Sequence, residues 1–229
     1  MRKLVIFITF ICATINSEAQ IHEVGIFVGG SNYIGDIGSE YYIKPNNLMG
    51  GFIYKWNMNP RIAVRGTFTY AQIFADNANS TNIARLERDT PPIHFYNSIK
   101  ELAVGIEFNY FEYNLDDFRK LYTPYLIFEI AAFNYKTIVG GTNDSNFEYS
   151  SNTSFAVPFG IGFKTKLYGD LAVALEIRAR YTFEDDLDYN NPEIYLLTYG
   201  NPNNNDWYIL SGISFVYTFG RPPCYATPY

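Results

Sequence analysis

Along most of the chain, apolar and polar residues alternate with a period of two. The clearest run is Ser98–Phe111. There Leu102, Val104, Ile106, Phe108 and Tyr110 share one parity, and Glu101, Gly105, Glu107 and Asn109 share the other. Successive side chains of a β-strand point to opposite faces, so this pattern predicts strands that separate two environments. The same alternation marks Glu23–Gly35, Asn47–Asn57 and a third strand ending near Ile73, in which Ile62, Val64, Phe68 and Tyr70 oppose Arg65, Thr67 and Thr69. A fifth strand opens near Tyr122 with Leu126, Phe128, Ile130 and Ala132 on one face. A sixth alternates Phe155, Val157, Phe159, Ile161 and Phe163 with Ala156, Pro158, Gly160, Gly162 and Lys164. In the seventh, Leu171, Val173, Leu175, Ile177 and Ala179 oppose Glu176, Arg178 and Arg180. The eighth, Trp207–Phe219, places Ile209, Ile213, Phe215, Tyr217 and Phe219 together.

The connections alternate in length. Residues 36–46, 74–97, 135–153 and 183–206 are long, polar and rich in Asn and Asp, whereas 57–60, 112–121 and 168–170 are shorter. Short turns on one side and long loops on the other are the habit of outer-membrane barrels. The prediction is an all-β fold, an eight-stranded antiparallel transmembrane β-barrel over residues 20–219, with short periplasmic turns and longer external loops. An even strand number puts both termini in the periplasm.

Composition sharpens this. The 229 residues are 48% hydrophobic, yet no segment holds the roughly 18 uninterrupted apolar residues of a membrane helix. The 21 Tyr and 19 Phe suit strands and the aromatic girdles of barrels. Residues 1–19 read as a signal peptide: Arg2 and Lys3 precede the apolar run Leu4–Ala13, and Ser17-Glu18-Ala19 is a small-x-small cleavage site. Cys12 lies inside that apolar run after Ile11, which does not fit lipoprotein processing. A net charge of −6 excludes a basic nucleic-acid footprint.

Charged residues of both signs fall on the polar parity: Arg65, Glu101, Glu107, Glu129, Lys164, Glu176, Arg178 and Arg180. Eight strands enclose an interior just wide enough for side chains to fill, and buried charges must pair. The expectation is an internal salt-bridge network, with a proton path or narrow pore as the alternative. No enzyme, cofactor or metal is expected. His22 and His94 are the histidines, and although His94 has Tyr96 and Ser98 nearby, no catalytic spacing surrounds it. Asp186-x-Asp188-x-Asn190 opens like a calcium loop but has Asn191 at the sixth position and Leu197 at the twelfth, where Gly and Glu are needed. It reads as a solvated acidic loop. The tail 220–229 contains Pro222, Pro223 and Pro228 and cannot continue a strand. Its Cys224 is either an idle thiol or a candidate intermolecular disulfide.

The final strand, with Gly212, Phe215, Tyr217 and Phe219, resembles the C-terminal assembly signal of bacterial barrels, apart from Leu210 and the tail that follows. A second resemblance runs through GIFVGGSNYIGDIG (Gly25–Gly38), NMNPRIAVRG (Asn57–Gly66), SIKELAVGIEFNYFEY (Ser98–Tyr113), YTPYLIFEIAAF (Tyr122–Phe133), VPFGIGFKTKL (Val157–Leu167) and RYTFEDDLDYNN (Arg180–Asn191). In that order these blocks resemble PorG-like outer-membrane barrels of the type IX secretion system of Bacteroidota. The resemblance implies a structural role in protein secretion and gliding motility. The implied partners are a PorK-type (GldK-type) ring lipoprotein and a PorN-type (GldN-type) periplasmic protein, besides outer-membrane lipid. It also implies that Cys224 bonds the ring lipoprotein. The alternative is an independent small barrel acting in adhesion or as a narrow channel.

Overall fold

A computed structural model describes residues 21–80, 82–83, 93–113, 121–141, 146–194, 197–198 and 204–220. Residues 1–19, read above as a signal peptide, and the tail with Cys224 lie outside the described residues. Eight strands form a closed antiparallel barrel in sequence order: β1 (Ile21–Ile34), β2 (Asn47–Asn57), β3 (Ile62–Asp76), β4 (His94–Asn109), β5 (Tyr122–Gly140), β6 (Glu148–Tyr168), β7 (Leu171–Thr182) and β8 (Trp207–Gly220). Closure is by β1 on β8, paired from Ile21↔Gly220 to Ile34↔Trp207. A closed ring leaves no unpaired edge around the wall, which is the condition for strands to cross a lipid bilayer.

The alternation read from the sequence becomes an inside and an outside. In β4, Glu101, Ala103 and Glu107 are buried, and Leu102, Val104, Ile106 and Phe108 are exposed. The outer wall is apolar around the whole circumference, with side chains such as Leu102 and Phe155 65% and 68% exposed. In water so continuous an apolar surface could not stay monomeric; against lipid it is the stable arrangement. Aromatic residues collect at both borders of this band. Tyr54, Tyr110, Tyr122 and Phe219 lie towards the short-turn end, and Tyr70, Tyr96, Tyr181 and Trp207 towards the long-loop end. The turn between β6 and β7 is tight because Gly169 takes φ +55°, a conformation L side chains resist.

Two connections differ from expectation. Residues 135–140 and 148–153 are strand, not loop. The ladder continues from Phe133↔Ser154 through Tyr135↔Asn152 and Thr137↔Ser150 before shifting register at Ile138/Gly140. Ser, Thr and Asn read as loop residues, yet backbone pairing does not depend on apolar side chains. The β5–β6 hairpin therefore rises beyond β7, which meets β6 only up to Thr182↔Ala156, while on its other side β4 parts from β5 after Lys100↔Asn134 and runs on with β3 to His94. The second long loop is also shorter than expected, because β3 runs to Asp76 and β4 begins at His94.

Candidate functional site

The lumen is the chemically densest part of the molecule. Each of the eight charged residues expected inside is there, and each is fully buried. Two more join them: Glu23 and Lys55, register partners on β1 and β2. Among the described residues, the cations Lys55, Arg65, Lys164, Arg178 and Arg180 thus face the carboxylates Glu23, Glu101, Glu107, Glu129 and Glu176, and the set is neutral as a whole.

The pairing runs in layers along the axis. Nearest the short turns, Glu107 receives Lys55 at 2.8 Å, Lys164 at 2.6 Å and Arg65 at 3.1 Å. Lys55 also approaches Glu23 at 3.6 Å, and Asn57 donates to Glu23 at 3.2 Å. Lys164 lies 4.6 Å from the centre of the buried Tyr113 ring. In the middle layer Arg65 forms a fork on Glu176, with donor distances of 3.0 and 2.7 Å; Tyr125 and Ser214 add hydroxyls at 2.7 and 3.3 Å. Two parallel N–H bonds to one carboxylate are the strongest form of this contact. Arg178 is held more loosely, at 3.5 Å from Glu129 and 3.4 Å from Glu176, with its guanidinium 4.5 Å from the Phe27 ring centre. Above it Arg180 forks onto Glu101 at 3.1 and 3.0 Å, and Tyr208 donates to the same carboxylate at 2.6 Å.

Small residues make room for these large ones. Gly162 stands opposite Glu176 on β7 and Tyr125 on β5, and a Cβ there would lie 2.2 Å from Tyr125 Cζ. Small-against-large alternation is how a narrow barrel fills its interior.

Above the charges lies an apolar layer of Ile73, Phe95, Ile99, Phe133 and Leu210, capped by Leu187 from the β7–β8 loop. That loop is not a solvated acidic segment. It folds into the barrel mouth and is tied to three strands. Asn97 on β4 donates to the Leu187 carbonyl at 2.9 Å, Tyr135 on β5 donates to Asp186 at 2.5 Å, and Tyr33 on β1 reaches Asp188 at 3.0 Å as well as Asp206. The Asp206 carboxylate also accepts the Leu187 amide at 3.1 Å. One hydroxyl proton cannot serve two carboxylates at once. Burial pushes the Asp188 carboxyl up to about 7, and burial together with Asp188 pushes Asp206 well above the aspartate range. Burial, then Asp36, lifts Asp185 to about 6. Asp186, Asp188 and Asn190 each serve this fold: Asn190 donates its amide to Asp188 at 3.1 Å. Among the described residues no group of His, Cys, Asp and Glu is placed to hold a metal ion.

The histidines stand at opposite ends. His22 is 2.8 Å from the Tyr54 hydroxyl and stacks on Phe219, whereas His94 begins β4 opposite Asp76. Glu23 and Lys55 escape a parity reading for a simple reason. The other inward residues of β2, Met49, Gly51 and Ile53, are not charged, so Lys55 stands alone, and only cross-strand register reveals its partner.

A family model described as "Domain of unknown function (DUF6089)" matches residues 2–228. No curated protein matches. Among solved structures, the chain is similar to a major outer membrane protein from Thermus thermophilus, with TM-score 0.47 and 12% identity over 88% of this chain and 100% of that one. It is also similar to the N-terminal β-barrel domain of Pseudomonas aeruginosa OprF, with TM-score 0.46 and 8% identity over 89% and 100%. A third is Ail, the attachment invasion locus protein of Yersinia pestis, with TM-score 0.40 and 9% identity over 88% and 99%.

Proposed function

The chain belongs to the DUF6089 family, and on that footing we propose that it is a structural, non-enzymatic barrel of the bacterial outer membrane. In this reading it anchors the periplasmic ring of the type IX secretion and gliding apparatus. The observation that carries the structural part is the filled lumen. Charges of both signs are paired across it, the buried Tyr113 ring packs on Lys164 towards one end, and the Leu187 loop caps the other. A barrel packed in this way supports attachment rather than transport. The lipid-facing wall and the signal peptide read at residues 1–19 support outer-membrane placement. The even strand number and the short-turn edge support periplasmic termini, with Cys224 on the side where a ring would be assembled.

The secretion role rests on the ordered series of blocks that resembles PorG-like barrels, and Cys224 is the proposed bond to the PorK-type lipoprotein, with the PorN-type protein as the second contact. Deletion of the chromosomal copy tests the role. The expected result is loss of export of proteins that carry type IX C-terminal signals, restored by the intact gene. Unchanged export refutes it. The second reading, an independent adhesin, is favoured by the β5–β6 hairpin that extends past β7 on the long-loop side, and the same deletion separates the two.

A further inference from the structure

The outer wall carries one feature that a lipid-facing surface does not require. Among the described strand residues, its outward-facing lysines are Lys100 on β4 and Lys136 on β5. Register fixes their height. Leu102, Ala132 and Phe155 lie side by side across β4, β5 and β6 and form the last apolar row towards the long loops. The next outward row is Lys100, Asn134 and Thr153, and the row after it contains Ser98, Lys136 and Ser151. Outward rows of one strand are about 7 Å apart. The wall therefore changes from wholly apolar to cationic and hydroxyl-rich within one step.

These residues enclose a hollow of about 370 Å³, lined by Ser98, Lys100, Asn134, Lys136, Tyr149 and Ser151 among others, with no carboxylate in its lining. The polar floor is built rather than incidental. Asn134 donates to Ser151 at 2.8 Å and to Thr153 at 3.0 Å, and Ser151 returns a bond to Asn134 at 3.1 Å. Neither lysine forms an ion pair with a described residue, and both are exposed. The upper β5–β6 ladder forms one side of the hollow, and the apolar wall runs directly below it.

We propose that this hollow binds the phosphoryl headgroup of a lipid whose acyl chains lie on Leu102, Ile130 and Phe155. The Ser98 and Tyr149 hydroxyls in the lining match phosphate oxygens, the Asn134–Ser151 bonds hold the floor in place, the two ammonium groups supply charge, and the apolar rows beneath supply the contact that a free anion cannot use. The proposal rests on the membrane placement above and not on the secretion role.

The test uses the full-length protein in detergent micelles, with native mass spectrometry to count bound lipid. The probes are phosphatidic acid, diacylglycerol of the same chains, and inorganic phosphate. At about fivefold per surface lysine, Lys100→Gln or Lys136→Gln lowers phosphatidic acid binding about fivefold, and the double variant lowers it about 25-fold. Diacylglycerol binds weakly and equally to all forms. Equal phosphatidic acid binding by wild type and the double variant overturns the site. Inorganic phosphate binding as tightly as phosphatidic acid overturns the lipid as its source. The heat-dependent gel shift of a folded barrel is run in parallel, and its absence in the wild type refutes the membrane barrel itself rather than the lipid site.

Discussion

Replacing Glu107 by Gln should be among the most damaging isosteric changes in the lumen. Its carboxylate is fully buried and lies within 3.1 Å of cationic nitrogens on Lys55, Lys164 and Arg65. An amide of the same shape removes the charge and keeps the volume, so packing is unchanged. Arg65 retains Glu176 at 2.7 Å, and Lys55 retains Glu23 at 3.6 Å. Lys164 retains no carboxylate within ion-pair distance among the described residues, only the faces of Tyr113 and Tyr125 at 4.6 and 5.4 Å. Stranding a buried charge costs about 3–5 kcal/mol. With a urea slope of about 2 kcal/mol per molar, the unfolding midpoint in micelles should fall by about 2 M. Glu112→Gln is the control. Its pair with Arg61 lies at 3.2 Å with both side chains largely exposed, and its loss should cost under about 1 kcal/mol. Adding Lys164→Met to Glu107→Gln should recover part of the stability, because the stranded cation is gone. If Glu107→Gln unfolds at the wild-type midpoint, the lumen charges do not hold the barrel and the reasoning fails.

Three further outcomes follow from the same geometry. Gly162→Ala places a methyl against Tyr125 and should cost about 1–3 kcal/mol, whereas Gly66→Ala, whose methyl would meet nothing closer than 4.0 Å, should be near neutral; urea midpoints decide. The clamp on the β7–β8 loop should weaken as pH rises. The folded Asp188 carboxyl titrates at about 7 against 3.8 normally, so its stabilisation is complete below about 4 and is lost as pH rises through about 7. Proteolysis or hydrogen exchange of residues 183–194 should accelerate across that window in wild type and less steeply in Asp188→Asn, which keeps Asp185 and Asp206. In planar bilayers the wild-type barrel should add no steady ion current, and a sustained open level contradicts a sealed lumen.

The sequence made the wall legible because period-two alternation is a local signal. Leu102 against Glu101, or Ile177 against Arg178, announces a strand with two unlike faces. It also made most of the lumen legible, since a charge on the inward parity has nowhere else to go. What stayed hidden depends on distant partners. Lys55 becomes a lumen residue only through its register with Glu23 and its contact with Glu107, 52 positions away. Asp188 and Asp206 look like loop solvation until Tyr33, 155 and 173 positions away, is seen between them. The length of the β5–β6 ladder is hidden for a different reason. Its upper residues are Ser, Thr and Asn, and their pairing is made by the backbone, which leaves no mark in hydropathy.

The role as an anchor is tested most directly by what the barrel brings with it from the membrane. The tagged full-length protein is solubilised from envelopes in mild detergent and captured, and its companions are identified without reductant and with it. The account expects the PorK-type lipoprotein and the PorN-type protein to be recovered together. It also expects a slower-migrating species that reductant abolishes and that is absent in Cys224→Ser. Recovery of the folded barrel alone, under conditions that keep the ring subunits associated with each other, contradicts it.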